Sequence, residues 1–389
     1  MKKIFVFSIF FFSLNFHAQI FIQAYQERVN QITQNNINTY LTEFASFGIK
    51  TTGSTNNNNA FNWLKEKYLS FGYSNSQISE NTFTYNGNAT KNLIITKTGT
   101  TYPNTFVIIC GHYDTVAGPG VNDNGSGIAI ILEMARILKD VPTEYSIKFI
   151  NFSGEEQGLF GSQHYVNTVV NATNPKMNIK LVFNIDEVGG VAGQTNDTIT
   201  CERDTSNPSS NNAASSTVTQ QLMNCVTLYS PLKTNLSYAY ASDYMPFQAN
   251  GEVITGFYEY NQSNYPHTPN DTFANMDPVY VYNVGKAALG AVQHFSVATS
   301  NLSVADCTPR EMLESLKIYP NPTKDFINIE MLNSNLKKFS FSITDLNGKL
   351  LIHTENKKKI DISTLSTGIY IGTMTVNDEQ TTRKISISK

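Results

Sequence analysis

Residues 107–127, VIICGHYDTVAGPGVNDNGSG, restrict the fold more than any other part of this 389-residue chain. The apolar run at 106–110 reads as a strand buried on both faces. It ends at Gly111, and the ionisable His112 and Asp114 follow at once. A turn-rich loop holding Gly118, Pro119 and Gly120 delivers Asp123 just before Gly125-Ser126-Gly127. Ile128, Ile131, Leu132, Ala135 and Leu138 then recur at helical spacing. A strand, a loop of ligand-type residues, glycines and a helix place a site at the carboxyl end of a sheet strand, where open α/β sheets bind ligands.

Three more apolar strands end in the same way. Residues 147–152 run into Ser153-Gly154-Glu155-Glu156, residues 181–185 into Asp186-Glu187, and residues 253–258 into a loop containing His267 and Asp271. Helical spacing is expected over 24–47, 59–71 and 159–170, and Asp277-Pro278 opens a further helix. The fold expected is α/β, a mostly parallel twisted sheet sandwiched by helices. Beyond residue 315 only short β-type runs remain, with Asn347-Gly348 as a hairpin signal, so a small all-β sandwich follows.

The amino terminus sets the compartment. Met1-Lys2-Lys3, an apolar run to Leu14 and Phe16-His17-Ala18 read as a secretory signal peptide, 1–18. No later stretch is apolar enough to span a bilayer. The domains expected are a signal peptide at 1–18, a catalytic domain at 19–299, a linker at 300–315 and the β-domain at 316–389. The net charge is −3 and the only basic run is Lys357-Lys358-Lys359, so nucleic acid is excluded as a partner. Of the four cysteines, Cys110 is expected as a buried thiol in its strand, and Cys201 with Cys225 is the disulfide expected in an oxidising compartment.

His112, Asp123, Glu155, Glu156, Asp186 and His267 all fall at strand ends or on adjoining loops. A His, Asp and Glu set without cysteine suits zinc. Two ions need about five protein ligands with one carboxylate shared, which leaves one carboxylate over.

These motifs resemble metallopeptidase family twenty-eight, the co-catalytic dizinc aminopeptidases. The resemblance covers about residues 30–297 and rests on GHYD at 111–114, NDNGSG at 122–127, GEEQGL at 154–159, NID at 184–186, SDY at 242–244 and HTPNDT at 267–272. It implies two Zn²⁺ per chain. Asp123 would bridge them, His112 and Asp186 would complete one site, and Glu156 and His267 the other. Glu155 would be the general base, taking a proton from the metal-bound water and passing it to the leaving amine. Asp114 would orient His112, and Asp271 would do the same for His267. Family members often carry a histidine where this chain has Tyr244. Tyr238 and Tyr240 compete for the oxyanion-holding role, and Tyr240 is the residue selected. The implied function is secreted hydrolysis of N-terminal residues from peptides and proteins. The alternatives are a single-zinc glutaminyl cyclase on the same fold and a binding domain without catalysis.

Residues 316–389 resemble the sorting domain of the type IX secretion system, through KIYPNP at 317–322, DLNGK at 345–349 and LSTGIY at 365–370. That implies export across an outer membrane, to the medium or cell surface, with the secretion machinery as partner.

Overall fold

The computed structural model describes residues 19–172, 174–300, 316–330, 339–376 and 379–389. The expected signal peptide, most of the linker and Cys307 lie outside the described residues. The chain divides into two compact units. Of the described residues, one holds 19–21, 32–139 and 145–297; the other holds 22–31, 140–144 and those from 298 onward.

The first unit is built on an eight-stranded sheet of order β1-β2-β4-β3-β5-β8-β6-β7. Its strands are β1 (Ile78–Tyr85), β2 (Asn88–Lys97), β3 (Tyr102–His112), β4 (Tyr145–Phe152), β5 (Asn178–Ile185), β6 (Thr198–Arg203), β7 (Lys233–Tyr238) and β8 (Ile254–Glu259). The central four, β4, β3, β5 and β8, are mutually parallel. β2 joins β4, and β6 joins β8, in antiparallel fashion. Residues 107–112 of β3 are buried throughout, as the unbroken apolar run requires.

Helices cover the sheet. α2 (Gln34–Ser46) packs on α4 (Gly125–Leu138), and α4 packs on α8 (Pro278–Ser296). α3 (Thr55–Ser70) starts four residues earlier than its apolar spacing indicates, because the Ser54 hydroxyl accepts from the Asn57 amide and caps it there. Asp277 caps α8 by accepting from the amides of Val279 and Tyr280. α5 (Phe160–Tyr165) is continued by a wider turn at Val166–Val170, and α1 (Gln23–Val29) and α7 (Met245–Ala249) are also short. β6 and β7 form in regions where no strand is expected above.

α4 starts at the organising loop. Asn124 caps it by accepting from the Gly127 amide, while its own amide group donates to the Ile185 carbonyl at the end of β5. A Cβ on Gly127 would sit 2.4 Å from that carbonyl oxygen. Gly127→Ala is therefore expected to destabilise the protein by about 1–3 kcal/mol, read as a lower urea midpoint with unchanged slope.

Cys110, Cys201 and Cys225 are all free and buried. The expected Cys201–Cys225 bridge is not formed. Both residues lie fully inside the apolar core, Cys201 on β6 and Cys225 on α6 (Asn212–Tyr229), where each thiol packs as a small apolar side chain.

The second unit contains two antiparallel sheets, of orders β13-β10-β9 and β12-β11-β14-β15. β9 (Lys317–Tyr319), β10 (Phe326–Glu330) and β13 (Lys359–Asp361) form the first; β11 (Ser340–Thr344), β12 (Leu350–Glu355), β14 (Gly368–Val376) and β15 (Glu379–Ile387) form the second. They enclose Ile327, Ile329, Phe341, Ile343, Met374 and Ile385. Asp345 stabilises the Asn347-Gly348 turn by accepting from the amides of Asn347 and Lys349.

Candidate metal centre

The carboxyl ends of the parallel strands converge on one cavity of about 310 Å³ in the first unit. His112, Asp123, Glu155, Glu156, Asp186, Tyr240 and His267 all line it, as do Glu187, Glu202, Ser242, Tyr244 and Tyr258. His112 is the last residue of β3, and Asp186 follows β5 directly. Gly154 takes a left-handed φ of 79° after β4, which turns Glu155 and Glu156 toward the cavity. The peptide bond joining Asp123 to Asn124 is cis.

Two groups of three ligand atoms share Asp123. In the first, His112 Nε2 lies 3.2 Å from Asp123 Oδ1 and 3.2 Å from Asp186 Oδ1. In the second, His267 Nε2 lies 3.1 Å from Asp123 Oδ2 and 2.9 Å from Glu156 Oε2. The first is buried. The second opens to solvent, since the His267 side chain is 61% exposed.

The surrounding hydrogen bonds set these groups in place. His112 Nδ1 lies 3.1 Å from the main-chain carbonyl of Asp114, which can only accept, so Nδ1 carries the ring proton and Nε2 faces the two carboxylates. The Asp114 carboxylate is 3.8 Å from that nitrogen. It accepts instead from the amides of Glu155 and Glu156 and from the Thr52 hydroxyl. Asp114 therefore ties His112 to the Glu155-Glu156 turn. Asp271 accepts from the amides of Asn122 and Asp123, and so braces the shared carboxylate rather than His267. Asp186 Oδ2 accepts from Ser242 Oγ at 2.6 Å.

Electrostatics point to cations here. Burial opposes charge on His112, yet Asp186, Glu155 and Asp123 outweigh it and push the imidazole well above its usual range. Contact with Asp123 raises His267 to about 9. Burial raises Glu155 to about 10 and Glu156, with Asp123 beside it, to about 8. Asp123 resists the same burial because the two histidines hold it well below the usual carboxylate range. The cluster thus retains protons wherever no other cation supplies positive charge.

The donor set fits zinc. In each group the histidine Nε2 lies 2.9–3.2 Å from both carboxylate oxygens, against about 3.3 Å for the edge of a tetrahedron of ligands around zinc, and all three atoms lie within 4.8 Å of one another. Glu156 Oε1 is buried and accepts no hydrogen bond, and buried Asp123 Oδ2 has only the His267 imidazole beside it, at 3.1 Å. An orphaned buried acceptor such as Glu156 Oε1 is costly unless a cation satisfies it.

Glu155 lines the cavity, belongs to neither group, and its carboxylate takes no hydrogen bond from the described residues. Tyr240 reaches the cavity wall, where its ring meets that of Tyr258 edge to face. Tyr238 does not line the cavity; its ring stacks against the Arg203 guanidinium. Tyr244 is buried and donates to Glu202 Oε2 at 2.6 Å.

Sequence reasoning missed Glu202 and Tyr258, and passed over Glu187. Burial pushes the Glu202 carboxyl up to about 8 despite the Tyr244 hydroxyl. The folded state then binds a proton that the unfolded chain releases near pH 4.5, so stability falls as pH rises from about 4.5 to 8. Glu202→Gln is expected to remove roughly 2–4 kcal/mol of that fall in metal-free protein, measured by urea unfolding at pH 5 and pH 8.

Comparison with known proteins gives the chain's family and fold relatives. The aminopeptidase YwaD of Bacillus subtilis is 47% identical over 85 residues, 22% of this chain and 18% of that protein. The chain spans less than half the length of the curated relatives it matches. LapB of Legionella pneumophila shares the fold with a TM-score of 0.62 at 23% identity, over 71% of this chain and 75% of that one. A glutaminyl cyclase of Fimbriiglobus ruber shares it with a TM-score of 0.55 at 16% identity, over 68% and 95%. Residues 317–388 match the secretion system C-terminal sorting domain. Residues 92–292, more than half of the chain, match the profile of peptidase family M28, and to that family this protein belongs.

Proposed function

We propose that the protein is an exported two-zinc aminopeptidase. The observation that carries this reading is the shared carboxylate: Asp123 offers Oδ1 to the His112–Asp186 group and Oδ2 to the His267–Glu156 group. His112, Asp123 and Asp186 would hold one zinc ion, and Asp123, Glu156 and His267 the other. Bound zinc would supply Lewis acidity, making water acidic and polarising the peptide carbonyl.

The chain's own residues do the rest. Glu155, as general base, accepts a proton from the attacking water and delivers it to the leaving amine. Asp114 sets its position through the Glu155 amide. Tyr240 donates its phenol to the oxygen of the scissile carbonyl as negative charge develops there. Ser242 holds Asp186 at one oxygen and leaves the other for metal. The mature chain would comprise the peptidase domain at 19–299, the linker at 300–315 and the sorting domain at 316–389, whose family match supports delivery through the type IX machinery. Among the described residues no helix is long and apolar enough to cross a membrane.

The test is a panel of aminoacyl amides offered to the zinc-loaded full chain, each with a free or an acetylated α-amine. Hydrolysis is expected only with the free amine. Cleavage of both forms would point to another peptidase specificity, and cyclisation of N-terminal glutamine without amide hydrolysis would point to the cyclase.

A further inference from the structure

The cavity has a second acidic wall that the proposed reaction does not use. Glu202 comes from β6, and Glu187 from the turn after β5. Glu202 is only 4% exposed. Its Oε2 accepts from Tyr244, while Oε1 takes no hydrogen bond from any described residue and remains open to the cavity. Glu187 is similar: Oε2 accepts from Tyr258 at 3.0 Å, and no described residue donates to Oε1. A φ of 43°, unusual for a residue with a side chain, keeps Glu187 on the cavity wall. Among the described residues no lysine or arginine lines the cavity. Arg203, the nearest in sequence, stacks on Tyr238.

Two carboxylates that are half-satisfied by tyrosine hydroxyls, belong to neither histidine group and meet no lysine or arginine in the cavity lining call for a cationic ligand. A third metal does not suit them, since among the described residues only the two groups sharing Asp123 bring three ligands together. The rings of Tyr240 and Tyr258, 6.3 Å apart on the same wall, suit an aliphatic stem leading to the charge.

We propose that Glu202 and Glu187 form a specificity subsite for a basic side chain, lysine or arginine, on the first residue of the substrate. The subsite rests on the aminopeptidase reading, but it predicts binding whether or not hydrolysis occurs. L-lysine and L-norleucine differ by the terminal ammonium and share the α-amine and α-carboxylate. Calorimetric titration of the zinc-loaded full chain is expected to give lysine at least about tenfold tighter binding. In Glu202→Gln, where the amide oxygen can still accept from Tyr244, that preference is expected to fall to less than about threefold.

Equal affinities for the two amino acids in the unmodified protein would overturn the proposal. Equal losses of both ligands in a folded Glu202→Gln would also overturn it, by assigning Glu202 to the α-ammonium. If that variant does not fold, Glu187→Gln read by the same ratio decides. A lysine preference in a protein that cleaves no amide would keep the subsite and refute the peptidase reading.

Discussion

Replacing Glu155 with alanine is expected to lower kcat about 10³-fold, within the range for loss of a general acid–base group, while the zinc content stays unchanged. The two halves of that result have separate causes. Glu155 belongs to neither ligand group, so its removal leaves the metal donors intact. Its carboxylate faces the cavity with no hydrogen-bond donor among the described residues, free to exchange a proton with substrate and water. Burial, with Asp186, Asp243 and Asp114 nearby, raises it to about 10 in the metal-free protein. Its folded-state pKa exceeds the unfolded one, so its ionisation costs stability as pH rises from about 4.5. Glu155→Ala should therefore flatten that slope. A kcat measurement on an aminoacyl amide with elemental analysis of the same sample checks the catalytic half, and urea unfolding of chelated protein at two pH values checks the other.

Asp123→Ala should have the largest effect on the metal centre. Each of its oxygens serves a different group, so one truncation removes a ligand from both. Zinc content is expected to fall from two ions to less than one per chain, with hydrolysis reduced by at least about 10³-fold, the equivalent of several kcal/mol of lost charge stabilisation. Glu156→Ala makes the contrast. It removes a ligand from the His267 group alone and should leave the buried His112–Asp186 ion in place. Metal analysis of both variants after dialysis against trace chelator separates a shared carboxylate from two unconnected ones.

Much of this centre was legible in the sequence because buried parallel strands leave a plain signature. The runs at 106–110, 147–152, 181–185 and 253–258 carry apolar residues on both faces, interrupted only by Lys148, Asn151, Asn184 and Thr255, and each hands its next residues to one end of the sheet. His112, Asp123, Glu155, Glu156, Asp186 and His267 could be collected by reading past those ends, and all six line one cavity. The edge of the sheet was not legible in this way. β7, KTNLSY, has no fully buried apolar residue beyond Leu232 just before it, and its own side chains are exposed or half-exposed. β6, TITCER, alternates polar and apolar residues, and Glu202 reads there as a solvent-facing position; tertiary packing against Tyr244 buries it. The parts played by Asp114 and Asp271 were also hidden, since their carboxylates act on backbone amides that no motif displays.

The most direct test of the proposed two-ion centre is zinc stoichiometry followed during reconstitution. Chelator-stripped full-length protein is titrated with Zn²⁺, and bound metal and aminoacyl amide hydrolysis are read at each addition. Two equivalents are expected to bind, the first at the buried His112–Asp186 group and the second at the open His267–Glu156 group, with activity reaching its plateau only at the second equivalent. Saturation at a single equivalent, with no further gain in metal or rate, would contradict a centre built on a shared Asp123.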